Sequence, residues 1–544
     1  MDPTAHLPVE LAHSIFSHLP PHDLFTLRRV SKSWNHHLSS TYLELLVNRS
    51  LPFASTAKTL PERLQRRRNF ASGAPRVYEI AAEGHHDSTK PHTFLGSKQV
   101  MFSAGYLGVV RNWDSKLDQY HDGDKHHPVT LEVWNLAAGG RNDVPVTVEL
   151  PSLFPEEEGK YSKGMVWLFG DVSQAVIRVD KTADKDADSL FRGFAVLDLT
   201  TGNILSKWFY TSDSIQAELE PPDHVCCNGR EVLAVWKEEC GGDLEYIDVH
   251  DVASGQSLRW EEIEEEDCDD HHASALSSTG TAYVLATDTA TGTLGVRIFC
   301  ARDPAAPAHF LPVRDIFGAD QTASLKNVSL DLVAETLYFK AAYTADPAAR
   351  WNTRQKTTWS TLLVTLPAAT LSPYKPLPTS FPTATVVSKV DNACFHDLTF
   401  LHDKMTIWGY SIPGFRPEAP QSLRLAQFEK AECGTTLAHR QVEGITAQKK
   451  AEIRSGDDEA IVFYPRGERP RRESYSVPDG ERHPALLLDF GGEFEIPERL
   501  GKEVSAEKFL ELCTPVVEEE EEDEDEDEEG ESGQAEGEAG EDEE

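Results

Sequence analysis

Apolar positions first recur with a helical period at the start of the chain. Leu7, Leu11, Ile15 and Leu19 follow one another at intervals of four residues, which places them along one stripe of a helix. The pair Pro20-Pro21 ends this pattern, because proline lacks the N–H group that a continuing helix requires. The spacing therefore predicts a first helix that presents a single apolar stripe.

A second stripe and a third short helix follow directly. The apolar residues of these two elements are Leu24, Leu27, Val30, Trp34 and Leu38. Ser31 or Ser33 is placed to cap the third helix, because a serine hydroxyl accepts a hydrogen bond from a free N–H of the first turn. Three helices in about forty residues cannot enclose all of these side chains. We therefore expect the apolar stripe to be an interface with a partner.

From residue 76 onwards, short β-rich runs alternate with clusters of Gly, Asp, Asn and Pro. Three segments align without gaps: VWNLAAG at Val133–Gly139, VLDLTTG at Val196–Gly202 and VHDVASG at Val249–Gly255. Their shared pattern predicts a strand that runs into a tight turn. In that turn Asn or Asp binds local backbone, and Gly takes a left-handed conformation.

The three segments are 63 and 53 residues apart, and weaker copies follow them along the chain. The weaker copies lie near Ile298, Leu363, Leu425 and Leu488–Gly492. A repeat of roughly 40–60 residues with several strands in each copy predicts a β-propeller. We expect a mainly β body of six or seven blades over residues 76–500. An array of β-sandwiches is the alternative that the pattern leaves open.

Charge is concentrated at the end of the chain. The net charge is −39, and residues 518–544 hold 19 of the 91 acidic residues and no basic residue. Such a segment cannot bury apolar area to offset its ordering entropy, so we predict a disordered acidic tail. It either keeps the chain soluble or attracts basic groups, including Arg466, Arg469, Arg471 and Arg472 of this chain. A short amphipathic helix is predicted before the tail, within residues 501–517.

Cysteine usage and the N-terminal residues favour the cytoplasm, the nucleus or both. The eight cysteines are irregularly spaced and form neither a disulfide framework nor a CxxC pair. Cys226 and Cys227 are adjacent, and we expect buried free thiols there. We expect no secretory signal and no membrane partner, since no apolar run approaches the roughly 18 residues that span a bilayer. The moderately acidic body also shows no general footprint for nucleic acid.

The N-terminal pattern resembles a known family. Leu7-Pro8-x-Glu10-Leu11, Ile15, Leu19-Pro20, Asp23-Leu24, Leu27, Val30-Ser31 and Trp34 look like the F-box in nearly every position. The resemblance implies a three-helix domain, residues 1–45, that docks the Skp-type adaptor of a cullin-RING ubiquitin ligase. The adaptor-binding positions that it implies are Leu7, Pro8, Leu11, Ile15, Leu19, Leu24, Val30 and Trp34. The alternative is an ordinary helical cap that packs on the body.

Residues 46–75 are predicted to be a connecting helical segment. Arg63 and Arg66–Arg68 form either a basic face of this helix or a nuclear localisation signal. Its ending, Asn69-Phe70-x-x-Gly73, resembles the junction between helix and propeller in F-box proteins with WD-type repeats. The three turn motifs likewise resemble the turn between the third and fourth strands of a WD-type blade. The proline-rich stretch Ser372–Pro382 is expected to connect two blades.

Sequence patterns for catalysis or metal binding are few. The chain has no G-x-S-x-G, P-loop, dinucleotide-binding or H-E-x-x-H motif, and we expect no enzyme activity. The charged stretches Glu261–His272, His121–His127 and Pro465–Ser474 are expected to be solvated loops. The first two lack the fixed ligand spacing of a zinc or calcium site. We therefore expect no metal and no cofactor.

An F-box, a propeller and an acidic tail in one chain predict the substrate-recognition subunit of a Skp–cullin–F-box ubiquitin ligase. The F-box would dock the adaptor, and the propeller would hold an unknown target protein close to the ubiquitin-charged enzyme. Two alternatives remain open. One is an F-box scaffold that acts outside a ligase, and the other is a propeller enzyme tethered to the adaptor.

Overall fold

The structure is a computed structural model of the chain. It describes residues 27, 29–38, 75–80, 100–111, 129–136, 144–156, 160–182, 190–211, 222, 224–237, 244–264, 274–288, 291–318, 325–333, 335–343, 358–391, 399–400, 406–411, 421–431, 434–447, 452–456, 460–464, 485–489 and 494–513. Six of the predicted adaptor-binding residues and the acidic tail lie outside these ranges.

Within the described ranges the chain is mainly β. The α-helices are α1 (Lys32–His37), α2 (Val313–Phe317) and α3 (Ala506–Cys513). The strands are β1 (Arg76–Ile80), β2 (Val100–Ser103), β3 (Tyr106–Arg111), β4 (Thr130–Asn135), β5 (Val146–Glu149), β6 (Lys160–Phe169), β7 (Gln174–Thr182), β8 (Leu190–Asp198), β9 (Ile204–Tyr210), β10 (His224–Cys227), β11 (Glu231–Lys237), β12 (Leu244–Asp251), β13 (Ser257–Glu264), β14 (Ser274–Leu276), β15 (Thr281–Asp288), β16 (Thr293–Cys300), β17 (His309–Pro312), β18 (Leu325–Val333), β19 (Thr336–Tyr343), β20 (Thr358–Pro367), β21 (Thr385–Asp391), β22 (Thr399–Phe400), β23 (Thr406–Ser411), β24 (Gln421–Ala431), β25 (Gly434–Ala447), β26 (Glu452–Gly456), β27 (Ala460–Tyr464), β28 (Ala485–Asp489) and β29 (Gly501–Glu503).

Most of the described strands form antiparallel sheets in which neighbours in the chain are neighbours in the sheet. Six of the sheets have four consecutive strands each. We number them sheet 1 (β2–β5), sheet 2 (β6–β9), sheet 3 (β10–β13), sheet 4 (β14–β17), sheet 5 (β18–β21) and sheet 6 (β22–β25). Short connections between antiparallel strands suffice for this order, which fits the turn signals in the sequence.

A further sheet, sheet 7, joins the two ends of the β region. Its strand order is β26-β27-β28-β1-β29, so the N-terminal strand β1 lies between two strands from the C-terminal side. Arg76 is opposite Asp489 on β28, and Tyr78 is opposite Glu503 on β29. Arg76 also forms an ion pair with Glu503 at 2.9 Å. The body is therefore closed by strands that are more than 400 residues apart in the sequence.

Buried apolar clusters lie between consecutive sheets rather than within one pair of sheets. Representative pairs are Phe102 with Leu487 (sheets 1 and 7), Val133 with Ile177 (sheets 1 and 2), Phe194 with Trp236 (sheets 2 and 3), Leu233 with Phe299 (sheets 3 and 4) and Leu285 with Phe339 (sheets 4 and 5). Each of sheets 1 to 4 thus buries both of its faces, unlike a sheet of a two-layer sandwich. The first strands β2 and β6, β10 and β14, and β14 and β18 also contact each other. This arrangement is propeller-like.

Two of the three predicted turn motifs are confirmed, at the ends of the third strands of sheets 2 and 3; the turn residues of the first motif, 137–139, lie outside the described residues. Asp198 ends β8, and its Oδ1 accepts hydrogen bonds from the N–H groups of Thr200 (2.7 Å) and Thr201 (2.9 Å). Asp251 ends β12 and receives the N–H of Ser254 in the same way, at 2.9 Å. The weaker copies of the motif also fall on third strands, β16, β20, β24 and β28. The repeat that was predicted from the turns is therefore the repeat of the sheets.

A hydrogen bond that the sequence did not reveal recurs in five sheets. The backbone N–H just beyond the third strand donates to a carbonyl in the first hairpin turn of the same sheet. The five bonds, all between 2.7 and 2.9 Å, are Leu136 to Gly105, Leu199 to Ser173, Val252 to Arg230, Ala301 to Gly280 and Ala368 to Glu335. Each of these five sheets therefore carries its first and third turns at the same end, where this bond ties them together.

Two expected boundaries are corrected. Residues 372–382 do not connect two blades, since they join β20 to β21 within sheet 5. The connection is long because it covers apolar surface: Leu377, Phe381 and Ala384 pack against the cluster between sheets 4 and 5. The β body also extends past residue 500, since Gly501–Glu503 pairs with β1 and the helix begins only at Ala506.

Candidate functional site

The described part of the N-terminal segment is a capped helix. Of the two candidate serines, Ser31 is the N-cap of α1, and its hydroxyl accepts a hydrogen bond from the Trp34 N–H at 3.2 Å. The N–H of Leu38 donates to the Trp34 carbonyl at 2.9 Å and closes the other end. The helix is only six residues long, so these caps hold a large share of its hydrogen bonds.

Exposure differs sharply among the apolar residues of this segment. Val30, directly before the cap, is 61% exposed, whereas Leu38 is fully buried and Trp34 is half-buried. An exposed valine beside a half-buried tryptophan leaves apolar surface for a partner to cover. The other predicted adaptor-binding residues lie outside the described residues: Leu7, Pro8, Leu11, Ile15, Leu19 and Leu24. Their role remains a prediction.

Polar links join the first hairpins of five consecutive sheets. The four links are Gly170 N–H to Ser103 Oγ (3.0 Å), Gln174 Nε2 to the Gly229 carbonyl (3.2 Å), Asn228 Nδ2 to the Ser277 carbonyl (2.8 Å) and Ser278 N–H to Glu335 Oε1 (2.9 Å). No shared residue type or spacing marks these positions in the sequence, because each link depends on how two sheets meet. The links make this end of sheets 1 to 5 a continuous hydrogen-bonded scaffold.

A cluster of three polar side chains also links sheets 2 and 3 by hydrogen bonds. Tyr210 on β9 donates its hydroxyl to Asp248 Oδ2 on β12, and His250 Nε2 lies 2.8 Å from the same hydroxyl oxygen. His250 Nδ1 donates to the carbonyl of Gly255 at 3.1 Å. Burial, and then the charge of Asp248, raises the pKa of Tyr210. The phenol therefore keeps its proton and acts as a hydrogen-bond donor between the sheets.

Both adjacent cysteines are free thiols; Cys227 is buried as expected, whereas Cys226 is only partly buried. Cys226 Sγ donates to the Ser274 carbonyl at 3.2 Å, and Cys227 Sγ donates to Gln174 Oε1 at 3.1 Å. Burial raises the pKa of Cys226 to about 11 and the pKa of Cys227 to about 12. Neither thiol is ionised near neutral pH, so neither is an activated nucleophile.

An arginine pair lies where the last strand of sheet 3 meets the third strand of sheet 4. Arg259 and Glu261 on β13 face Arg297 and Phe299 on β16, and we call these four residues the rim cluster. The acidic stretch Glu261–His272 was expected to be a loop, but Glu261–Glu264 belong to β13 because they pair with Leu244–Ile247 on β12. The rim cluster was missed because Arg259 and Arg297 are far apart in the sequence.

Metal binding and membrane insertion find no support in the described ranges. There, no three His, Cys, Asp or Glu side chains are grouped so that they could hold a metal ion. None of the helices in those ranges is long and apolar enough to cross a membrane. The stretches His121–His127 and Pro465–Ser474 lie outside the described residues.

Comparisons with solved structures give loose likenesses. The β-propeller domain of the trilobed protease from Pyrococcus furiosus has a TM-score of 0.28 and 9% identity over 54% of this chain and 88% of that chain. A eukaryotic initiation factor has a TM-score of 0.34 and 10% identity, over 79% and 95%. Prolyl oligopeptidase B from Galerina marginata has a TM-score of 0.39 and 8% identity, over 86% and 57%. With such scores, the architecture rests on the strand pairing of the chain itself.

Sequence comparison identifies a known family only in the N-terminal segment. No curated protein matches the chain. The F-box-like family model matches residues 4–43, the segment whose spacing predicted three helices and an apolar interface. The chain therefore carries an F-box-like segment at residues 4–43, followed by a propeller-like β body.

Proposed function

We propose that the protein is the substrate-recognition subunit of a Skp–cullin–F-box type ubiquitin ligase. The observation that carries the proposal is the F-box-like match at residues 4–43 in a chain whose remaining described residues form a propeller-like body. F-box segments of this kind dock a Skp-type adaptor, and the body would bind a target protein. The chain would contribute by holding the target near the transferring enzyme, without catalytic side chains of its own.

We propose further that the body is a seven-bladed propeller. Seven sheets are present within the described residues, and sheet 7 is built from both ends of the β region. Sheets 7 and 1 share a buried apolar cluster. Sheets 1 and 2, sheets 2 and 3, sheets 3 and 4, and sheets 4 and 5 each share one as well. These contacts run from sheet 7 through sheets 1 to 5, and sheet 7 holds strands from both ends of the β region, which together support a ring. We place the protein in the cytoplasm, the nucleus or both.

Adaptor docking is tested most cleanly at Val30. Because this side chain is 61% exposed, Val30→Asp should leave the fold intact. In a complex the new carboxylate would be buried against the adaptor without a partner, so the affinity should fall at least about tenfold. Titration of a purified Skp-type adaptor against the full chain, by calorimetry, measures the effect. Trp34→Ala and Leu24→Ala should weaken binding similarly.

Lys32→Ala is the matched control for these variants. Lys32 is the first residue of α1 and is exposed, but it is not among the predicted adaptor-binding residues. It should bind the adaptor like the wild-type chain. If Val30→Asp, Trp34→Ala and Leu24→Ala all bind as tightly as Lys32→Ala, the docking proposal is wrong. Equal melting temperatures of all variants show that any loss reflects the interface.

A further inference from the structure

The rim cluster brings two guanidinium groups to a single carboxylate. Arg259 Nη2 lies 2.6 Å from Glu261 Oε2, and its Nε donates to the same oxygen at 2.8 Å. Arg297 Nη2 binds the other oxygen, Oε1. Among the residues that the structure describes, the cluster holds two positive charges and one negative charge, so one cation is not neutralised.

The cluster is shielded from water to different degrees. The Arg259 side chain is 9% exposed and lies over the ring of Phe299, with its guanidinium carbon 4.3 Å from the ring centroid. The Arg297 side chain is 25% exposed. Charges that are partly removed from water interact more strongly than charges on an open surface. The unbalanced cation therefore attracts an anion here more strongly than a solvated surface arginine does.

Donors in the cluster also lack acceptors. Arg259 Nη1 is buried and has no hydrogen-bond partner among the described residues. Among the residues that the structure describes, Arg297 donates to one acceptor, Glu261 Oε1. Only the Nη2 group of Arg297 makes this bond. The Nε and Nη1 groups of Arg297 therefore have no acceptor within the described ranges. Burial lowers the pKa of both guanidinium groups, and the charge of Arg259 lowers that of Arg297 further.

We propose that the rim cluster is a docking site for an acidic protein segment, one of whose Asp or Glu carboxylates binds Arg297. Charge complementarity selects this occupant, because a carboxylate would neutralise the extra cation and accept the free Arg297 donors. The anion-binding chemistry belongs to the body alone. The identification of the bound acidic segment as part of a ubiquitin-ligase target rests on the proposed function; the binding itself does not.

The test is the affinity of the full chain for a fluorescein-labelled hexaglutamate peptide, measured by anisotropy, with hexaglutamine as the neutral control peptide. Arg297→Gln should weaken hexaglutamate binding at least about tenfold, since it removes the accessible cation. Glu261→Gln should strengthen binding, because both guanidinium groups then lack a counter-charge. These opposite directions distinguish a site from a mere loss of structure.

Arg314→Gln is the matched control, because it makes the same charge change at an exposed arginine on α2 outside the cluster. It should bind like the wild-type chain. The proposal is overturned if Arg297→Gln and Arg314→Gln bind hexaglutamate equally, or if Glu261→Gln weakens hexaglutamate binding. Val30→Asp should bind hexaglutamate normally, so failure of adaptor docking and failure of this site give different results.

Discussion

A single glycine shows how one residue can connect two sheets. Gly255 ends a turn motif with a φ of 69°, and a Cβ at this position would lie 2.7 Å from the backbone carbonyl oxygen of Lys207 on β9. Gly202, at the same motif position, has a φ of 75°, but its Cβ would meet only the side chain of Val146, at 3.3 Å. Both turns need the left-handed conformation, and one also needs the absence of a side chain.

Gly255→Ala should therefore destabilise the body more than Gly202→Ala. Both variants place alanine in a left-handed conformation, at a cost of about 1–2 kcal/mol. Only Gly255→Ala also pushes against the backbone of the preceding sheet, which should add about 1–3 kcal/mol. Urea unfolding of the two variants measures the difference. Equal losses of unfolding free energy would show that the contact between sheets 2 and 3 does not constrain this turn.

At the scale of elements, β1 is the piece on which closure depends. It is the only described strand from the N-terminal side of sheet 7, and it pairs with β28 on one edge and β29 on the other. Tyr78 on β1 is buried and donates its hydroxyl to the Phe494 carbonyl at 3.2 Å. Without β1, both neighbouring strands would expose unpaired backbone groups.

Removal of β1 should open the body. A chain that starts at Ala81 lacks β1, whereas a chain that starts at Ala74 keeps it and serves as the matched control. The shorter chain should melt at a lower temperature, because it loses a central strand and the apolar contacts of Tyr78 and Ile80. Differential scanning calorimetry compares the two. Indistinguishable melting curves would mean that sheet 7 does not hold the two ends of the β body together.

What the sequence predicted at this scale depended on how local the signal was. The turns at Asp198 and Asp251 could be predicted, because a carboxylate and a glycine within a few residues determine the turn by themselves. The pairing of β1 with β28 could not, since nothing in Arg76–Ile80 identifies a partner more than 400 residues away. Glu261 was assigned to a loop because its acidic neighbours suggested solvent, while its strand pairing depends on β12.

At the scale of the whole molecule, the β body and the F-box-like segment are identified by different kinds of evidence. The propeller-like body follows from a repeat of strands and turns, and its cores are visible between the sheets. The F-box-like segment follows from the match at residues 4–43, and Val30 and Trp34 are the two adaptor-binding candidates that the structure describes. Neither the strand repeat nor the family match predicts the rim cluster, because only the contact between sheets 3 and 4 brings Arg259 and Arg297 together.

The most direct test of the central claim is assembly with a cullin. The full chain, a Skp-type adaptor and a cullin–RING pair are mixed, and the mass of the product is measured by size-exclusion chromatography with light scattering. The account predicts one complex with a single copy of each component, and it predicts that Val30→Asp elutes apart from the cullin. A chain that binds the adaptor but leaves the cullin in a separate peak would contradict the account and would identify a scaffold that acts outside a ligase.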